Sequence, residues 1–232
     1  MGLTIHFQLA LRPDAPDMDE HRARWAVEDA RRLAMEMKRR GAFVAVTRIA
    51  HEPQVVRRQA GEFVRYNHPR HGEQYCEAVP LRGWVFVADM GADCEPLRIG
   101  LCEYPAHVWH LGDDRATRLH GWRLAASSKT QYASLHGWEH FRRCHVAIVD
   151  FLAALRPLGF VVKISDEGHY WPRRSERALH TEIEKMNRLV AAAAGAMKDA
   201  HEDSGGVQAA IFAHPQFERL EAEGADLLAK RT

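Results

Sequence analysis

The stretch from Trp122 to Asp166 constrains the fold more than any other, because it sets a strand, a helix and a second strand in immediate succession. "GWRLAAS" has the length and composition of a strand, and Ser134 can cap a helix running to about Pro157. On that helix Trp138, Phe141, His145, Ile148, Leu152 and Leu155 fall on alternating steps of three and four, which is one apolar face. "FVVKI" follows Gly159 as the returning strand. A strand–helix–strand crossover within one sheet makes its two strands parallel, so both end on the same edge. The exits are then "SSKTQYAS" and "SDEGHYWPRR". They lie about 5 Å apart if the strands are neighbours, or about 10 Å apart with one strand between them.

The remaining segments extend this into an α+β fold. In "LTIHFQLAL" Leu3, Ile5, Phe7, Leu9 and Leu11 alternate with polar residues, the period of a half-buried strand. Asp17 as N-cap, with Glu20 three residues on, opens a helix that buries Ala23, Ala26, Ala30, Leu33 and Met37 and can end at Gly41. "FVAVTRI" then reads as a strand, giving a second β-α-β unit. Residues 51–82 are polar and broken by proline and glycine, a long excursion with room for one short helix. "GWVFVADM" with "LRIGLCEY", and "AHVWHL" with "RATRLH" around "GDD", read as hairpins. A helix from about Ser175 is expected to bury Leu179, Ile183, Met186, Val190, Ala193 and Met197. "EDSGG" interrupts it, and a last helix carries Pro215 in its first turn. The expectation is a mixed β-sheet with β-α-β units at both ends, ferredoxin-like with inserted hairpins. Residues 1–200 form one domain, and 201–232 a C-terminal helical appendage.

That topology gathers chemistry at one sheet edge, where a helix N-terminus also presents its free N–H groups. Asp166, His145 and Lys129 are the candidate catalytic residues: a carboxylate and an imidazole to move a proton, and an amine to clamp an anion or act as nucleophile. Gln131, Tyr132, Arg143, Glu167, Tyr170 and Arg174 are candidate ligand-binding residues. Asp166 and Glu167 are adjacent, so in extended chain only one can point inward, and Asp166 is expected to be that one. His145 interrupts an apolar stripe, so its nitrogens need partners, and a core histidine held by a carbonyl or tyrosine is the competing reading. His136, His140 and Cys144 stand on successive helical turns, but without HExxH or CxxC no metal site is assigned. No cofactor is indicated.

The bulk numbers remove several functional classes. The formal net charge is +1, which provides no field for steering to nucleic acid or an anionic membrane. The basic residues are nonetheless biased to arginine, 26 of 32, a side chain suited to carboxylate and phosphate. No run approaches the ~18 apolar residues of a membrane span, and the start does not read as a signal peptide. Cys76, Cys94, Cys102 and Cys144 are therefore expected as thiols in a cytoplasmic protein. Walker, GxGxxG and GxSxG motifs are absent.

Taken together, "GLTIHFQL", "CEPLRIGLCEYP", "KTQYAS", "FRRCH" and "SDEGHYW" resemble an uncharacterised bacterial protein family, over about the first three quarters of the chain. The resemblance implies a bacterial origin and a shared fold, and brings no reaction or catalytic residue with it. Two functional readings follow. One is an enzyme or sensor whose polar pocket takes a small anionic ligand bearing phosphate or carboxylate. The other is a non-enzymatic interaction protein or homo-oligomer, which exposed aromatic residues within 51–82 would favour.

Overall fold

A computed structural model of the chain describes residues 3–12, 20–200 and 208–229. The strands are β1 (Thr4–Leu11), β2 (Ala45–Val46), β3 (Glu62–His68), β4 (Gly72–Ala78), β5 (Arg82–Asp89), β6 (Leu97–Glu103), β7 (His107–His110), β8 (Asp113–Ala116), β9 (Arg123–Lys129) and β10 (Phe160–Asp166). The helices are α1 (Glu20–Arg39), α2 (Pro53–Ala60), α3 (Trp138–Ala154), α4 (Glu176–Ala200) and α5 (Phe217–Ala229). Short 3-10 turns cover Gln131–His136, Arg156–Leu158 and Ala210–Ala213. The expected cap Asp17 and the "EDSGG" break lie outside the described residues.

The fold is α+β with a C-terminal helical region. Its main sheet has the order β10-β1-β9-β6-β5-β2, and every neighbouring pair is antiparallel. The expected crossover exists: β9 and β10 are parallel to each other, joined through α3, with β1 inserted between them. Because each crossover skips at least one strand, the sheet is antiparallel rather than mixed. Hydrogen bonding is satisfied by the intervening strand, not by the crossover partner.

On β1 the odd residues Ile5, Phe7 and Leu9 are buried with Phe141, Ile148 and Leu152 of α3, while His6 and Gln8 are exposed. That alternation is the period of two read from the sequence. The excursion 51–82 contains the short helix α2 and also the β3–β4 hairpin, which polar residues on both faces had hidden. The β7–β8 hairpin packs against it. Tyr66 Oη and His110 Nδ1 are 2.6 Å apart, and Arg115 lies over the Tyr66 ring. Between β7 and β8, Leu111 and Gly112 both have positive φ, 53° and 83°, as a two-residue turn of matching twist demands.

Glu62, at the start of β3, fixes this arm to the sheet. It is 8% exposed, and its Oε1 accepts from Arg123 Nε at 3.2 Å and from the Ala125 backbone N–H at 3.0 Å. A side chain thus serves a strand N–H where β6 and β9, paired only at Cys102 and Arg123, diverge.

The second half of α4 departs from expectation. Met197 is 55% exposed, and the buried residues there are Ala191, Ala192, Ala194 and Gly195. These small residues let α5 approach closely: a Cβ on Gly224 would lie 2.1 Å from the Arg188 carbonyl oxygen. Pro215 sits in the turn before α5 rather than in its first turn. No helix among the described residues is long and apolar enough to cross a membrane.

Candidate functional site

The strand register decides which candidates meet. On the open face β1 carries Thr4, His6 and Gln8. His6 lies opposite Ser165 on one side and Ser127 on the other; Gln8 lies opposite Lys163 and Ala125, and Thr4 opposite Lys129. On the helix-covered face Ile5 lies opposite Asp166 and Ser128. Lys129 and Asp166 therefore share one end of the sheet but belong to opposite faces. The single volume expected to contain both divides into two.

The inner part is a buried polar network. His145 is fully buried, with Nδ1 2.9 Å from Thr130 Oγ1 and Nε2 3.0 Å from Asp166 Oδ1. The Thr130 hydroxyl is 3.5 Å from the Leu3 carbonyl, so its shorter contact is to His145, and donating there leaves the ring N–H on Nε2, facing the carboxylate. The Nε2 contact lies off the line of a well-aligned hydrogen bond. The Asp166 side chain has no solvent exposure; Oδ1 accepts from Gly168 N at 2.7 Å and Oδ2 from Trp171 N at 2.8 Å. Burial opposes its ionisation, but the proximity of His145 Nε2 and the two backbone N–H groups outweigh that and hold its pKa below the usual carboxylate value. Tyr170 stands edge-on to His145, with ring centroids 6.3 Å apart. A Cβ on Gly168 would lie 2.9 Å from His145 Cε1, so the close approach needs glycine. Hydroxyl, imidazole and carboxylate are in sequence here, yet no ligand can reach them. They tie together the end of β9, α3 and the exit of β10.

The other candidates separate further. Gln131 is 1% exposed, and its Nε2 lies 3.4 Å from Asn187 Oδ1 on α4. Lys129 Nζ is 3.3 Å from Tyr132 Oη and lies over that ring. Arg143 reaches the Met90 carbonyl at 2.9 Å and the Ala42 carbonyl at 3.4 Å. Arg174 pairs with Asp150 and covers the Tyr170 and Trp171 rings. Glu167 faces outward; its Oε2 accepts from Thr4 N at 2.9 Å and its Oε1 is 3.5 Å from His6 Nε2.

His136, in the 3-10 turn before α3 rather than on the same helix, and His140 and Cys144 of α3 staple this region to the β5–β6 turn. They contact Asp93 Oδ2 at 2.6 Å, the Ala92 carbonyl at 2.9 Å and the Met90 carbonyl at 3.5 Å. No group of three metal-ligating side chains occurs among the described residues. Coupling to Cys94, together with Arg143 and against burial, draws the Cys144 pKa down while that of Cys94 rises.

The outer part is a trough of about 630 Å³ on the open face, lined by His6, Gln8, Gln59, Arg98, Ser127, Lys163 and Ser165 among others. No Asp or Glu lines it. Lys163 has no acidic partner among the described residues, and Arg98 is 3.6 Å from Glu95. The end of α2 and the start of β3 form one wall through Gln59 and Gly61. Sequence reasoning missed His6, Gln8, Arg98 and Lys163; the signal was available as the polar positions of three strands, β1, β6 and β10, which become a site only once the register aligns them. No family model, curated protein or solved structure matches the chain.

Proposed function

We propose that the protein holds a small anionic molecule, bearing phosphate or carboxylate, in the trough on the open face of its sheet, as an enzyme or sensor pocket. The observation that carries this is the charge of the lining: Lys163 and Arg98 with no carboxylate among the lining residues. Hydroxyls of Ser127 and Ser165 and amides of Gln8 and Gln59 supply neutral donors beside those cations, and Lys129 adds a further positive charge on the same face. His6, beside Glu167, is the lining side chain able to carry a proton. Titration calorimetry with inorganic phosphate and with succinate tests the reading. Lys163→Ala, at an exposed position, is expected to weaken binding about tenfold with stability unchanged. Absence of binding, or equal binding by a Lys163→Ala, Arg98→Ala double variant, would overturn it.

One observation favours an interaction role for the hairpin arm. Phe63 is 72% exposed, Tyr75 55% and Trp109 75%. Exposed aromatic side chains on an arm bordered by unpaired strand edges suit a protein contact or self-association. Sedimentation of the full chain, compared with a Phe63→Ser, Trp109→Ser variant, separates this from the first reading: a monomer at all concentrations excludes self-association.

A further inference from the structure

A second concavity lies away from the trough, where the 3-10 turn Gln131–His136 and the start of α3 meet α4 and α5. It encloses about 300 Å³, enough for a one-ring molecule. Trp138, Phe141, Ile183 and Leu220 form its apolar walls. We propose that this cavity is a separate binding site for an uncharged, ring-sized molecule ending in a carboxamide or hydroxyl group.

The charges around the cavity favour a neutral occupant. Arg188 and Arg219 line it, but both are already neutralised. Arg188 Nε is 2.7 Å from Glu223 and its NH2 is 3.7 Å from Glu184. Arg219 is 3.5 Å from Glu223 and donates to Gln216 Oε1 at 2.6 Å. Two cations face two carboxylates, so no surplus charge offsets the desolvation of an anion. The trough differs in Lys163, which has no acidic partner among the described residues, whereas its Arg98 is 3.6 Å from Glu95; on that balance the two sites would take different ligands.

The polar end of the occupant is indicated by a buried amide cluster. Asn187 is 6% exposed and lines the cavity. Its Nδ2 donates to Ser134 Oγ at 3.1 Å, whereas its Oδ1 has only contacts of 3.4 Å, to Gln131 Nε2 and Ser134 Oγ. Gln131, which touches Asn187 but does not itself line the cavity, has its Oε1 buried with no partner. Buried amides are ordinarily satisfied, so this cluster has capacity for a molecule that both donates and accepts. A ring between Trp138 and Leu220 with a carboxamide toward Asn187 meets both requirements.

Benzamide and benzoate, equal in shape and different in charge, test the proposal on the full chain by nitrogen–proton NMR. Benzamide at millimolar concentration is expected to shift the Trp138 indole and Asn187 side-chain amide resonances, with benzoate binding about tenfold more weakly. A Glu184→Gln, Glu223→Gln variant, altered at half-exposed positions, is expected to reverse that preference by releasing the arginines. Lys163→Ala should leave benzamide binding intact, which keeps this site distinguishable from the trough. Benzoate bound as well as benzamide by the unaltered protein, shifts confined to the trough, or no shift at either site would each overturn the proposal.

Discussion

Replacing Asp166 with Asn removes one charge from a fully enclosed position while keeping its shape. The carboxylate serves two backbone donors, Gly168 N and Trp171 N, through different oxygens, and faces His145 Nε2 with the first of them. In an asparagine one of those oxygens becomes an NH2 group, so either orientation sets a donor against a donor. A buried N–H left unpaired costs about 1–3 kcal/mol, and the surviving bond loses its charge assistance. Separating the imidazole from its carboxylate brings the expected loss to about 3–5 kcal/mol. Glu167→Gln is the matched control: one residue along, outward-facing, still able to accept from Thr4 N, and expected to change stability by about 0.5 kcal/mol or less. Urea unfolding followed by both circular dichroism and tryptophan fluorescence measures the two and checks that the transition has two states. The pH dependence gives a second readout. The folded pKa of Asp166 lies below its unfolded value, so the folded state favours the ionised form. That stabilisation is complete above the unfolded value of about 3.9 and is lost as the pH falls through the folded pKa. Asp166→Asn should therefore flatten the acid limb of the stability profile. A loss within about 1 kcal/mol of that of Glu167→Gln, with an unchanged acid limb, would refute the account of Asp166 as a structural group.

Further outcomes follow from the same contacts. Gly168→Ala would place a Cβ 2.6 Å from Leu179 Cδ1 and 2.9 Å from His145 Cε1, and is expected to cost about 1–3 kcal/mol in urea unfolding. Glu62→Ala leaves the Ala125 N–H and Arg123 without their shared acceptor; about 3 kcal/mol of destabilisation is expected, most of it restored by Glu62→Gln, which keeps an oxygen there. Burial, followed by the charge of Glu62, pushes the Cys102 thiol up to about 12. Its thiolate is then negligible at pH 8, so a disulfide reagent should modify Cys102 only after unfolding, as peptide mapping would show.

The legible parts of this fold are those with a plain local signal. β1 and α3 carry a period of two or 3.6, β5 and β6 are short apolar runs buried on both faces, and the β7–β8 turn has residues that permit one geometry. The β3–β4 hairpin was hidden because its inward side is largely polar: Glu62, Val64, Tyr66 and His68 face in with Gln74, Cys76 and Ala78, while Phe63 and Tyr75 face solvent, so the apolar residues of "EFVRYNHPRHGEQYCEA" do not mark its buried side. The end of α4 misled for a related reason. Its large residue Met197 is exposed because the partner helix requires alanines and glycines at the contact, so size was a poor guide to burial where backbones touch.

The site was legible in position and not in polarity. The crossover argument located Lys129 and Asp166 at one sheet end, but adjacent strands can meet in either of two parities, and a shift of one residue exchanges faces. Pairing Ile5 with Asp166 puts that carboxylate into the core and leaves Glu167 outside with His6. The opposite parity would bury Glu167 and expose Asp166, bringing Lys163 to the helix side, where it would have to shed its hydration. His145 prevents this, since a buried imidazole on the apolar stripe of α3 needs a short acidic partner at that level, and Asp166 held by Gly168 and Trp171 provides it. Phe160 and Val162, buried on the same side of β10, hold the same parity, and the register lines up Ser165, His6, Ser127 and Lys163 on the open face. Asp166 and His145, two of the residues that look most catalytic in the sequence, bear on the open face only through that alignment. A variant that weakens the His145–Asp166 pair without unfolding the protein should lower affinity in the trough, although it touches nothing there.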